Sequence, residues 1–135
     1  MPITFFAFLF ENLNILVSYE IMKRKTIRNH RDFLTMRETP TAHADCFVVK
    51  AKSAKFENDA RFGLVASKKT FKLAVHRNRA KRLLRDWVAF NEDLMLPDMD
   101  YVFVARAQIL DCKREEGRAQ MAKALKKIAK MQNEN

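Results

Sequence analysis

Residues 61–90 read RFGLVASKKTFKLAVHRNRAKRLLRDWVAF, and their pattern decides the fold. Arg61–Ser67 is nearly all apolar, which predicts a strand covered on both faces. From Lys72 to about Phe90 the period changes. Placed at about 100° per residue, Ala80, Leu83, Leu84, Trp87, Val88 and Phe90 gather on one side and predict a helix with a core face. The other side is cationic without relief. Between Lys68 and Arg85 stand eight basic residues and no acid: Lys68, Lys69, Lys72, Arg77, Arg79, Lys81, Arg82 and Arg85. A solvated helix face normally mixes signs, because like charges four residues apart repel by a few tenths of a kcal/mol. An unmixed stripe therefore implies a partner that neutralises it.

Arg77, Lys81 and Arg85 form a line with Asn78 and Arg82 beside it, while Arg79 sits apart. At ~1.5 Å per residue the line spans about 12 Å, long enough to follow two or three phosphates. Arginine suits that task because its planar fork takes two phosphate oxygens at once. Asn78 adds a donor and an acceptor for a base edge or a 2′-hydroxyl.

Outward from this helix the chain reads as alternating short elements. Asn29 and Asp32 begin a helix of two to three turns that carries Phe33 and Met36 and ends at Pro40. Asp45–Lys52 is β-branched and predicts a strand, followed by a polar turn over Lys55–Asp59, so an antiparallel hairpin with Arg61–Ser67 is expected. Tyr101–Ala105 is a continuous apolar strand. From Lys113 a last helix aligns Met121, Leu125, Ile128 and Gln132, with Lys123, Lys126, Lys127 and Lys130 off that seam. The order α-β-β-α-β-α predicts an α+β fold, a small α-β sandwich with helices against one sheet.

Composition fits one basic domain. The chain has 135 residues, 48% of them hydrophobic, with two glycines and three prolines, which excludes disordered and low-complexity classes. The formal net charge of +10 points to a polyanionic partner, nucleic acid before an acidic membrane. Cys46 and Cys112 are too few for a disulfide framework and read as free thiols of a reducing, cytoplasmic environment; a single bridge between them stays open.

Residues 1–22 break this pattern. They hold fifteen apolar residues and two acids but no Lys or Arg, whereas residues 23–135 carry all 26 basic residues. Glu11, Asn12 and Asn14 interrupt the apolar run, so it is too short to span a membrane. It has neither the basic start nor the cleavage site of a signal peptide, nor the cations of an interfacial anchor. We therefore expect an apolar, non-functional extension or a mis-assigned start, ahead of an RNA-binding domain over 23–135.

The ordered set Ser67-Lys68-Lys69, Arg77-Asn78-Arg79-Ala80-Lys81-Arg82-Leu83-Leu84-Arg85 and Asp100-Tyr101-Val102-Phe103-Val104-Ala105-Arg106 resembles the protein subunit of bacterial ribonuclease P. Arg61-Phe62-Gly63-Leu64 and Asp32-Phe33 match as well, and the resemblance covers about residues 23–128. It implies a left-handed β-α-β crossover around the basic helix, in a fold like the second domain of ribosomal protein S5. It also implies a ribonucleoprotein endonuclease in which a catalytic RNA removes the 5′ leader of precursor tRNA. By position, Lys68, Lys69, Arg77, Asn78, Arg79, Lys81, Arg82 and Arg85 would contact the RNA subunit, and Phe33 would line a cleft for the single-stranded leader. Two departures stand out. Lys50 occupies a position where many relatives carry an aromatic, and Thr70-Phe71-Lys72 lacks a glycine found in some.

The chain itself offers no catalytic set. Asp45, Asp59, Asp86, Asp93, Asp98, Asp100 and Asp111 have no paired spacing, and His30, His43 and His76 are isolated. No cofactor is expected on the protein alone; Mg2+ would act through the RNA subunit. The alternative is a non-catalytic ribosomal or chaperone-like RNA-binding protein. A DNA-binding helix-turn-helix is disfavoured because strands flank the basic helix, and no membrane partner is expected.

Overall fold

The structure is a computed structural model that describes residues 25–26, 40–54 and 61–133. Its elements are β1 (Lys25–Thr26), β2 (Thr41–His43), β3 (Phe47–Ser53), β4 (Arg61–Val65), α1 (Ala74–Phe90), β5 (Met99–Ala105) and α2 (Arg114–Asn133), with 3-10 turns at Glu92–Leu94 and Ala107–Asp111. The expected first helix with Phe33, the apolar residues 1–22 and the turn over Lys55–Asp59 lie outside the described residues.

One five-stranded sheet has the order β1-β4-β5-β3-β2. Here the expectation from local sequence fails. Strands β3 and β4 do not form a hairpin; β5 lies between them, antiparallel to β3 from Phe47↔Ala105 to Ser53↔Met99 and parallel to β4 from Phe62↔Tyr101 to Val65↔Val104. The physical reason is the apolar content of β5, which is buried at six of seven positions and stabilises most when flanked on both edges. The hairpin that does form joins β2 to β3 through a tight turn closed by the Ala44 amide on the Phe47 carbonyl at 2.9 Å. The parallel pair β4–β5 requires a crossover, and α1 supplies it.

Strand β3 alternates: Phe47, Val49 and Ala51 are buried while Val48, Lys50 and Lys52 are partly exposed. The buried set meets Ala80, Leu84, Trp87 and Val88 of α1 and Met121, Leu125 and Ile128 of α2 in a single core. Phe47 and Trp87 pack at 6.1 Å between ring centroids, and Tyr101 stacks on Phe103 at the same spacing. Both helices thus cover one face of the sheet. A smaller cluster of Val65, Val102 and Val104 occupies the other face.

The core face of α1 is rotated from the expected one. Phe90 is 61% exposed and Leu83 is only partly covered. In their place Asn91, just past the helix, is buried, its Nδ2 donating to the carbonyls of Trp87 and Arg118 at 3.0 Å each. A polar residue takes this position because it can satisfy carbonyls at the helix end that an apolar ring would strand.

Candidate nucleic-acid interface

The basic helix starts abruptly. Leu73 precedes it in extended conformation, with no side-chain cap and no acid in the first turn. The loop before it is closed without glycine. The Thr70 amide donates to Ser67 Oγ at 3.2 Å, the two hydroxyls bond at 3.0 Å, and the Phe71 amide reaches the Ser67 carbonyl at 2.9 Å. Phe71 is buried and anchors this turn to the core, leaving Lys68 and Lys69 exposed at its tip. The missing glycine is therefore replaced by hydroxyl chemistry.

Arg77 ties the loop to the helix. Its Nη1 donates to the carbonyls of Phe71 at 2.8 Å and Lys72 at 3.1 Å, and the residue is half-buried. Sequence reasoning treated it only as a contact to a partner; the structure gives it an internal task as well. Asn78, Arg79, Arg82 and Arg85 are exposed and Lys81 is partly so. Ala80, Leu84, Trp87 and Val88 fill the opposite side. Among the described residues, none of the cations from Lys68 to Arg85 forms an ion pair with a carboxylate of the chain. The stripe is held together on one face and remains uncompensated.

The neighbouring acids are already engaged. Asp86 accepts from Arg118 Nε at 3.3 Å and Nη2 at 3.1 Å, with Arg114 at 3.9 Å. The Arg118 guanidinium also lies 4.1 Å from the centre of the Phe90 ring, which explains why that exposed aromatic is tolerated. This junction between α1 and α2 was not legible in advance. The fully buried Asp100 holds the Arg61 amide at 2.6 Å and its Nη2 at 3.1 Å. With these two carboxylates committed, no group of three or more His, Cys, Asp or Glu among the described residues is arranged to hold a metal. No described helix is long and apolar enough to cross a membrane. Cys46 and Cys112 are free thiols.

Comparison with known proteins decides the family. The sequence profile described as Ribonuclease P matches residues 21–129. The chain belongs to the ribonuclease P protein family. A ribonuclease P protein component of Pseudomonas putida is 32% identical over 117 residues, spanning 85% of this chain and 86% of its own length. One from Lactobacillus delbrueckii subsp. bulgaricus is 33% identical over 104 residues, spanning 76% and 86%. Among solved structures, the ribonuclease P protein of Thermotoga maritima superposes with a TM-score of 0.66 at 25% identity, covering 78% of this chain and 98% of that one. The Staphylococcus aureus protein gives 0.65 at 28%, covering 80% and 97%. Ribonuclease P is a ribonucleoprotein enzyme that processes tRNA, and the protein is its non-catalytic part.

Proposed function

We propose that this chain binds a ribonuclease P catalytic RNA through the wet face of α1 and assists it in removing the 5′ leader of precursor tRNA. One observation carries the reading. Eight cations between Lys68 and Arg85 share a surface with no carboxylate partner among the described residues, while the reverse side of the same helix is locked into the core. A polyanion with closely spaced phosphates relieves that repulsion, and arginine forks at Arg79, Arg82 and Arg85 give it directional contacts. Lys68 and Lys69 extend the surface along the loop, and Asn78 supplies an uncharged contact. Arg77 and Lys81 complete the line, each less exposed than its neighbours.

The leader belongs on the other face of the sheet in this reading. Val48, Lys50 and Lys52 of β3 point away from the two helices, beside Val65, Val102 and Val104. Lys50 favours backbone attraction over base stacking there, and Phe33 would contribute the aromatic ring. The protein lowers repulsion between two RNAs and orients the substrate. Mg2+ fits no described carboxylate cluster and would be held by the RNA. The cytoplasm is the compartment this role implies.

The test is reconstitution. The chain, a ribonuclease P RNA and precursor tRNA are mixed at low magnesium, and 5′ leader removal is compared with RNA alone. A clear gain in rate is expected. RNA binding without any gain would instead support a chaperone-like binder.

A further inference from the structure

We propose that a second cationic surface, the groove between α2 and the β2–β3 turn, seats another stretch of the phosphate backbone of the same catalytic RNA. This rests on the RNA-subunit reading of α1 given above.

Helix α2 repeats the anomaly of α1. From Arg118 to Lys130 it carries five cations and no acid. Arg118 is taken by Asp86 and Phe90. Lys123, Lys126, Lys127 and Lys130 are exposed, and none forms an ion pair with a described carboxylate. Met121, Ala124, Leu125 and Ile128 pin the other side of the helix to the core, so the lysine positions are fixed.

Two of these lysines face a built concavity. A cavity of about 250 Å³ is lined by Lys123, Lys127 and Gln120 from the helix and by His43, Ala44 and Asp45 from the turn. Arg106 stands at its sheet side, with Nη2 3.5 Å from His43 Nδ1 and Nη1 donating to the Ala44 carbonyl at 3.3 Å. Three permanent cations and an imidazole thus surround one carboxylate. Cations on two walls of a groove reinforce one another's potential and concentrate an anion between them.

The occupant follows from what the groove has and lacks. No aromatic ring lines it, so it offers no platform for an unstacked base, as a single-stranded leader would need. Its donors suit phosphate oxygens. Because α2 is fastened to α1 through Asp86, Arg114 and Arg118, the two cationic faces belong to one body. A large folded RNA can reach both.

The experiment measures binding of the full chain to ribonuclease P RNA across a salt series, with three variants. Lys123→Gln/Lys127→Gln removes the groove cations; Lys126→Gln/Lys130→Gln removes equal charge outside it; Arg82→Ala reports on α1. The groove pair should weaken binding about tenfold at moderate salt and lower the salt slope by about two, more than the control pair, with an unchanged melting temperature. Equal effects of both lysine pairs would reduce the result to net charge and overturn the groove. Wild-type affinity for the groove pair, with Arg82→Ala weakened, would overturn the groove and leave the α1 reading intact. Wild-type affinity for all three would remove both. A raised KM for precursor tRNA with unchanged RNA-subunit affinity would assign the groove to substrate and overturn the proposal.

Discussion

Gly117 of α2 lies directly against the indole of Trp87 of α1, so close that a Cβ built on Gly117 would collide with Cε2, Cζ2 and Cδ2 of the ring. Trp87 is fully buried and packed on Phe47, so the ring has nowhere to move. Glycine here is a requirement of close helix approach. Gly117→Ala should cost about 3 kcal/mol, the upper part of the range for overpacking. Urea unfolding checks this: the midpoint should fall with the slope unchanged. A loss below about 1 kcal/mol would mean the helices part easily.

Asp100 and Arg61 join the starts of two neighbouring parallel strands, with the carboxylate fully buried. Removing one partner leaves the other charge desolvated, which typically costs 3–5 kcal/mol. Asp100→Ala should therefore destabilise by about that amount, and Asp100→Asn, which keeps an acceptor for the Arg61 amide, by less. Equal losses in thermal or denaturant unfolding would show that the amide contact contributes nothing.

Arg77 and Arg82 should separate. Arg82→Ala removes an exposed guanidinium and is expected to lower RNA affinity and reduce the salt slope by about one, without changing stability. Arg77→Ala also frees the carbonyls of Phe71 and Lys72, so it should lower the melting temperature as well. If both variants melt like the parent, the tie between loop and helix is not stabilising.

The Cys112 thiol is pushed up to about 12 from an ordinary value of 9.0, first by burial and then by the neighbouring Cys46 thiol. At pH 8 it stays protonated, so native protein should react slowly with thiol reagents and the unfolded chain at the normal rate. The native state also holds this proton more tightly than the unfolded chain. The resulting stability is complete below about pH 9 and is lost as pH rises toward 12. Cys112→Ser should show a shallower alkaline decline; an identical decline would exclude the thiol as a source.

The helices and the strands were legible because their signals are local. Ala80, Leu84, Trp87 and Val88 mark α1, and Met121, Leu125 and Ile128 mark α2, by spacing alone. Strand pairing is not local. Nothing within residues 45–67 states that Tyr101 and Phe103 will come between its two strands, and the two-residue strand Lys25–Thr26 and the three-residue strand Thr41–His43 are too short for a period to register. Phe90 misled because the periodicity weighs its ring and cannot see Arg118 arriving from another helix to cover it. The cations of α1 were readable as a set, since an absence of acids is visible in one dimension. The double duty of Arg77 was not, because it depends on where the Phe71 and Lys72 carbonyls end up.

The central position of β5 governs the order in which the molecule can be made. Strands β3 and β4 have no hydrogen-bonding partner in each other and must wait for Met99–Ala105, so during synthesis the sheet cannot assemble until roughly three-quarters of the chain has left the ribosome. A nascent chain stalled before Met99 exposes two unpaired β edges at once, which makes it a natural substrate for holding chaperones and a poor one for early folding.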